Sequence, residues 1–140
     1  MTDENRQFTE DAYLLGETAG EHRVERAAEA ADAALALTRQ ARQSLRIFTR
    51  DLDAALYSTD DYRDAVSTLA RSQRDTFIRI LIQDPTPAIK GGHRLIGLTQ
   101  HLSSHIAVRR VAEDWADEPS AFLIADGRGL LWRSQGDRYE

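Results

Sequence analysis

The hydrophobic positions of this chain change period along its length, and the changes mark its elements. From Glu21 to Ser44 the run EHRVERAAEAADAALALTRQARQS is dominated by alanine and other strong helix formers. Val24, Ala28, Ala31 and Leu35 recur at helical spacing and predict a narrow apolar stripe. Its side chains are small, so the helix can approach another backbone closely, either on its own domain or as a seam between copies. Leu45 to Phe48 is short, apolar and followed by polar residues, which predicts a strand. Ser58 or Thr59 can cap a helix whose Tyr62, Ala65, Val66, Leu69 and Ala70 share one face.

Past Gln73-Arg74-Asp75, the run from Thr76 to Ile82 is nearly continuous and β-branched, as suits a central parallel strand covered on both faces. Gln83-Asp84-Pro85 ends it. A helix is expected from Ala88 to Leu102 with Leu95, Leu98 and Leu102 inward, then a strand from Ile106 to Val111 and an acidic loop, EDWADEP. Ala121 to Ala125 and Leu130 to Arg133 flank an Asp126-Gly127-Arg128-Gly129 turn and predict a hairpin.

The order is therefore helix, then βαβαβ, then two strands. It predicts an α/β domain with a mixed, mostly parallel sheet and helices on both faces, preceded by the alanine-rich helix. The expected core comprises Tyr62, Val66, Leu69 and Leu95 with Leu98 from the helices, and Phe77, Ile80, Ile82, Ile106, Val108, Phe122 and Ile124 from the strands. Residues 1–20 lack periodicity and are expected to form a mobile arm, which leaves 21–140 as one domain.

Composition narrows the function classes. The chain has 140 residues, a formal net charge of -5 and no cysteine. Disulfides, thiolate metal sites and a cysteine nucleophile are excluded together. The acidic balance disfavours nonspecific attraction to nucleic acid or anionic membrane, so nucleic acid is an unlikely partner on this reading, although a local basic patch is compatible with it. No window reaches the roughly 20 apolar residues that span a bilayer. The start, MTDENRQFTEDAY, is the opposite of a secretory signal, and cytoplasmic residence is expected.

The chemistry-bearing residues gather after the strands. Arg50 and Asp51 follow the first, Gln83 and Asp84 follow the second, and Lys90, His93 and Arg94 open the next helix. Ligands of open α/β sheets bind beyond the carboxyl ends of parallel strands, and a helix start adds backbone donors, so a weak phosphate-type anion site is expected here. The competing arrangement is structural pairing of Arg50 with Asp84, or of Arg94 with Asp51. His101 and His105 have metal-compatible spacing, but Ser103-Ser104 should end the helix between them and no carboxylate sits at a neighbouring helical position. No metal or other cofactor is expected. Walker, dinucleotide-glycine and nucleophile-elbow motifs are absent.

The element order, with AFLIADGRGLLWRS at its end, resembles one half of the phospholipase D-like fold. That superfamily carries histidine-x-lysine-x4-aspartate-glycine on a strand, then a second strand ending near a serine. Asp126-Gly127 matches the aspartate-glycine and Ser134 lies near the serine position, but Pro119 and Ala121 stand where the histidine and lysine would be. Such chemistry needs a histidine nucleophile and a lysine to offset phosphoryl charge; proline and alanine supply neither. Over Leu45 to Tyr139 the stretches FTRDLD, ILIQDP, GGHRL and DGRG also resemble an uncharacterised bacterial family found alone or beside acetyltransferase-like domains. The resemblance implies a non-catalytic binding or interaction domain that self-associates or meets a protein partner. The alternatives are a phosphate-ester enzyme using His93 as base or nucleophile, or an accessory subunit of an acetyltransferase-like partner.

Overall fold

The structure, a computed structural model, describes residues 27–133. The expected arm at 1–20 and Ser134 lie outside the described residues. Helix α1 (Ala27–Gln40) leads into strand β1 (Ser44–Thr49), the one-turn helix α2 (Ala54–Tyr57) and helix α3 (Asp60–Ser72). Strand β2 (Phe77–Ile82), helices α4 (Thr86–Lys90) and α5 (Arg94–His101) and strand β3 (Ile106–Arg110) follow. A 3-10 turn at Glu113–Trp115 precedes the hairpin of β4 (Ala121–Ala125) and β5 (Gly129–Arg133). The five strands form one mixed sheet in the order β3-β2-β1-β4-β5. The pairs β1–β2 and β2–β3 are parallel, and β1–β4 and β4–β5 are antiparallel.

Among the described residues the helices lie on one face of this sheet, which corrects the expectation of helices on both. Both crossovers, β1–α3–β2 and β2–α5–β3, step the same way across the sheet. Right-handed connections running in one direction deposit their helices on one side. α1 joins that layer by packing on α2 and α3 and on the hairpin strands. The core lies between the layers, where Leu45, Ile47, Ile78, Ile80, Leu123 and Leu131 meet Ala30, Ala34, Leu37, Tyr62, Val66 and Leu95. The Phe77–Ile82 run is interior to the sheet but alternates, with Ile78, Ile80 and Ile82 buried and Arg79 and Leu81 exposed. Phe77, Phe122 and Ile124, expected in the core, are half-buried on the other face.

Local chemistry accounts for the element boundaries. Thr59 caps α3 by accepting the Tyr62 N–H at 3.1 Å, and Asp53 caps α2, which the apolar pattern was too short to announce. α1 ends at Gln40, before the expected Ser44, because Ser44 already pairs with Phe77 in the sheet. Its buried side is Ala30, Ala33, Ala34 and Leu37, while Ala28 is exposed and Ala31 and Leu35 are half-buried. Among the described residues this side is covered by the domain itself. The hairpin turns at Asp126 and Gly127, with φ of 56° and 71°, and Arg128 N–H closes it onto the Ala125 carbonyl. Asp126 also reaches across to the α1–β1 loop, where its carboxylate accepts the N–H groups of Arg42, Gln43 and Ser44 at 2.8–3.1 Å.

Candidate functional site

The expected helix at 88–102 is two helices, broken where Gly92 takes a φ of 64°. That break decides what the strand-end residues can do. His93 becomes the N-cap of α5: its Nδ1 accepts the Leu95 N–H at 3.0 Å, and its Nε2 lies 2.8 Å from the Leu52 carbonyl oxygen. A ring that accepts at Nδ1 must carry its proton at Nε2 to donate to a carbonyl, so His93 is neutral with both nitrogens engaged. Burial pushes its pKa below the ordinary 6.5, and the neighbouring Arg94 adds to this against the Leu52 hydrogen bond and Asp53.

Arg94 points toward α3. Its Nε donates to Asp60 at 2.8 Å and its Nη1 to the Ser58 carbonyl at 2.7 Å, while its backbone N–H meets Ser58 Oγ. Two of the donors at the α5 start are thus taken by the chain itself. Gln83 is buried and its amide holds the β3–β4 loop through the carbonyls of Trp115 and Glu118 at 3.0 and 2.7 Å. Arg50 and Asp84 meet through the main chain, Asp84 N–H donating to the Arg50 carbonyl, and the Asp84 carboxylate accepts from Thr86 N–H. Lys90 is exposed at the end of α4. Among the described residues the expected ion pair of Arg94 with Asp51 is replaced by Arg94 with Asp60. Of the paired histidines, His101 ends α5 exposed and His105 lies beyond it, bonded through Nδ1 to the Thr76 carbonyl.

Asp51 and Asp53 do converge with His93, on a cleft of about 220 Å3 that Ser58 and Pro87 help to line. Burial and the nearby Asp53 raise the Asp51 pKa. Beneath lies Arg133, 2% exposed and 3.9 Å from the Asp53 carboxylate. Tyr57 is buried beside it; desolvation pushes its pKa to about 12 although Arg133 opposes the rise. Leu52, at the cleft edge, holds a φ of 58° that only a supported residue without glycine's freedom retains. Its N–H bonds Thr49 Oγ1, its carbonyl faces His93, and its side chain is buried. Arg133 was legible in principle, since it shares the buried phase of β5 with Gly129 and Leu131.

A second region is the helix-free face of the sheet. Register places Arg109, Leu81, Phe48, Phe122 and Trp132 in one cross-strand row. A second row runs Ala107, Arg79, Arg46, Ile124, Leu130. Phe48 and Phe122 stack with centroids 5.4 Å apart. Arg46 and Arg79 stand over the Phe77 ring at 5.1 and 4.5 Å from its centroid. Trp132 is 56% exposed, Leu130 60% and Leu81 41%. No acidic residue lies on any of the five strands; every charged strand residue is arginine.

Residues 26–140 match the family model of DUF7931, a domain of unknown function. The chain belongs to the DUF7931 family. No curated protein matches it. Among solved structures, this DUF7931 domain is similar in fold to TrmBL2, an archaeal chromatin protein described as showing a novel mode of DNA binding, with a TM-score of 0.53 and 12% identity. The match covers 86% of this chain and 46% of that one, so the chain spans about half that protein's length. This finding corrects the expectation that nucleic acid is an unlikely partner, because a DNA-binding protein contains a fold of this kind. The physical error was to average: a net charge of -5 says little about a sheet whose only charges are positive.

Proposed function

We propose that this DUF7931 domain is a non-catalytic binding module on a degenerate phospholipase D-like half-fold, and that its working surface is the helix-free face of the sheet. The observation that carries this reading is that Leu81, Leu130 and Trp132 are exposed on the same sheet face as the strand arginines, a face with no helical layer among the described residues. Large apolar side chains clustered on one exposed surface are the mark of an interaction site. Pro119 and Ala121, where the look-alike superfamily has its nucleophile and lysine, support the absence of phosphodiester chemistry. So does His93, whose two ring nitrogens are committed to Leu95 and Leu52 and offer neither a free base nor a nucleophile. The lack of cysteine and of a membrane-spanning helix among the described residues suits cytoplasmic residence, which is part of the reading.

Two measurements test it. Hydrolysis of a generic phosphodiester by the purified chain should stay at background; turnover that disappears in His93→Ala would replace the module with an enzyme. Oxidative labelling of Trp132 in cell extract should fall below that of the purified chain as a partner covers the face. Equal labelling in both settings would remove the face as the working surface.

A further inference from the structure

We propose that the helix-free sheet face binds single-stranded nucleic acid, with the exposed Trp132 ring stacking on a base and the arginines meeting phosphates. This rests on the reading of that face as the working surface and names its partner. Three observations carry it. The first is charge: among the described residues, Arg46, Arg79 and Arg109 are the charged strand side chains on this face, and no strand supplies a carboxylate to offset them.

The second is placement. Arg46 and Arg79 are register partners on neighbouring strands, both drawn over Phe77. Like charges set opposite each other across a sheet destabilise it. An anion lying along the face relieves that repulsion, which a second copy of the same face, bringing its own arginines, does not.

The third is shape. Phe48, Phe122 and Trp132 follow one another across β1, β4 and β5. The exposed Trp132 ends the row, and adjacent strands are about 4.8 Å apart. Phe48 is buried and lies ring to ring with the half-buried Phe122, so Trp132 is the ring of this row that is open to a base, and arginine can both stack on bases and grip phosphate oxygens. A partner helix docks its ridge into a groove. Two clefts of about 230 and 220 Å3 lie on the helical side, lined by residues of α1 and α3 or by Asp51 and His93.

The test is fluorescence anisotropy of the full chain with labelled oligothymidylate and oligouridylate of about twelve nucleotides. Binding in the micromolar range is expected, with quenching of tryptophan fluorescence. The affinity should fall with salt at a log–log slope of roughly -2, as about three phosphate contacts to a single strand require. Trp132→Ala and Arg79→Ala should each weaken binding roughly tenfold, the loss of one stacked base or one charge-assisted contact. Both residues are exposed, so circular dichroism should show the fold intact in each variant. No anisotropy change, or binding that both variants leave untouched, overturns the proposal. Sedimentation separates the underlying reading from this one. If oligonucleotides fail to bind but the chain forms dimers that Trp132→Ala dissociates, the face is still the working surface and its occupant is a second copy. A chain that binds no oligonucleotide and is monomeric, with Trp132 labelled equally in extract and alone, overturns both.

Discussion

The two faces of the sheet are built from the same five strands, yet they obey different rules. On one, Leu45, Ile47, Ile78, Ile80 and Leu123 are sealed beneath α1, α3 and α5. On the other, one residue away along each strand, Arg46, Arg79, Leu81, Leu130 and Trp132 meet solvent. Alternation of side chains along a strand makes this switch possible, and the direction of the crossovers makes it happen. The contrast teaches that an apolar run does not by itself announce double burial. The FIRILI segment is as apolar as a strand buried on both sides, but half of that apolarity belongs to a surface.

The sharpest way to break the comparison is to truncate neighbours in β2. Ile80→Ala, at a fully buried position, should cost about 3 kcal/mol in urea unfolding, the sum of lost transfer energy and a cavity. Leu81→Ala, one residue on, should cost less than about 1 kcal/mol. Similar losses at both would mean that the second face is covered.

A slightly smaller effect is expected where the hairpin is tied to the rest of the sheet. Asp126→Ala removes the acceptor for the N–H groups of Arg42, Gln43 and Ser44 and leaves a β-carbon at positive φ without compensation. It should destabilise by about 2 kcal/mol. Asp126→Asn, which keeps one carbonyl oxygen and tolerates the left-handed region, should lose less. Equal losses would show that the carboxylate's link to the α1–β1 loop, and not the turn conformation that Asn tolerates, is what matters.

The strand-end cluster gives a pH signature that the open face does not. His93 is held neutral in the folded state with its pKa below the ordinary 6.5, so at lower pH the unfolded chain takes up a proton that the folded chain refuses. Its contribution to stability is therefore fully present above that ordinary value and is lost as pH falls through the folded pKa. The unfolding midpoint should drop between about pH 7 and pH 5. His93→Asn, which retains an acceptor for Leu95 N–H, should flatten that part of the profile. An unchanged profile in the variant would remove His93 as its cause.

The smallest effect belongs to Arg94 and Asp60. Their side chains are 50% and 72% exposed, and solvent screens the pair, so Asp60→Asn should shift stability by less than about 0.5 kcal/mol. A larger loss would indicate that the pair, with Ser58, holds α5 against α3.

Much of the fold was written locally. The spacing of Tyr62, Val66 and Leu69 placed α3, the β-branched run placed β2, and Asp126-Gly127 placed the hairpin turn, because each depends on side-chain period or on backbone freedom within a few residues. The candidate cluster was legible only as a neighbourhood. Gly91 and Gly92 were visible, but not that the break at Gly92 would turn His93 into a cap and swing Arg94 away from Asp51 toward Asp60. Arg133 and Asp53, distant in sequence, meet because β5 and the β1–α2 segment end at the same edge.

What the sequence determined by itself, then, is what short-range physics fixes: the strands and longer helices, the turn, the absence of cysteine chemistry, and arginine as the one charged residue type on the five strands. What only the tertiary structure decided is which half of each strand is core. That choice follows from the handedness of two crossovers and from α1 joining the same layer. No local pattern encodes them, because they are set by how whole elements pack and not by any residue's neighbours in the chain.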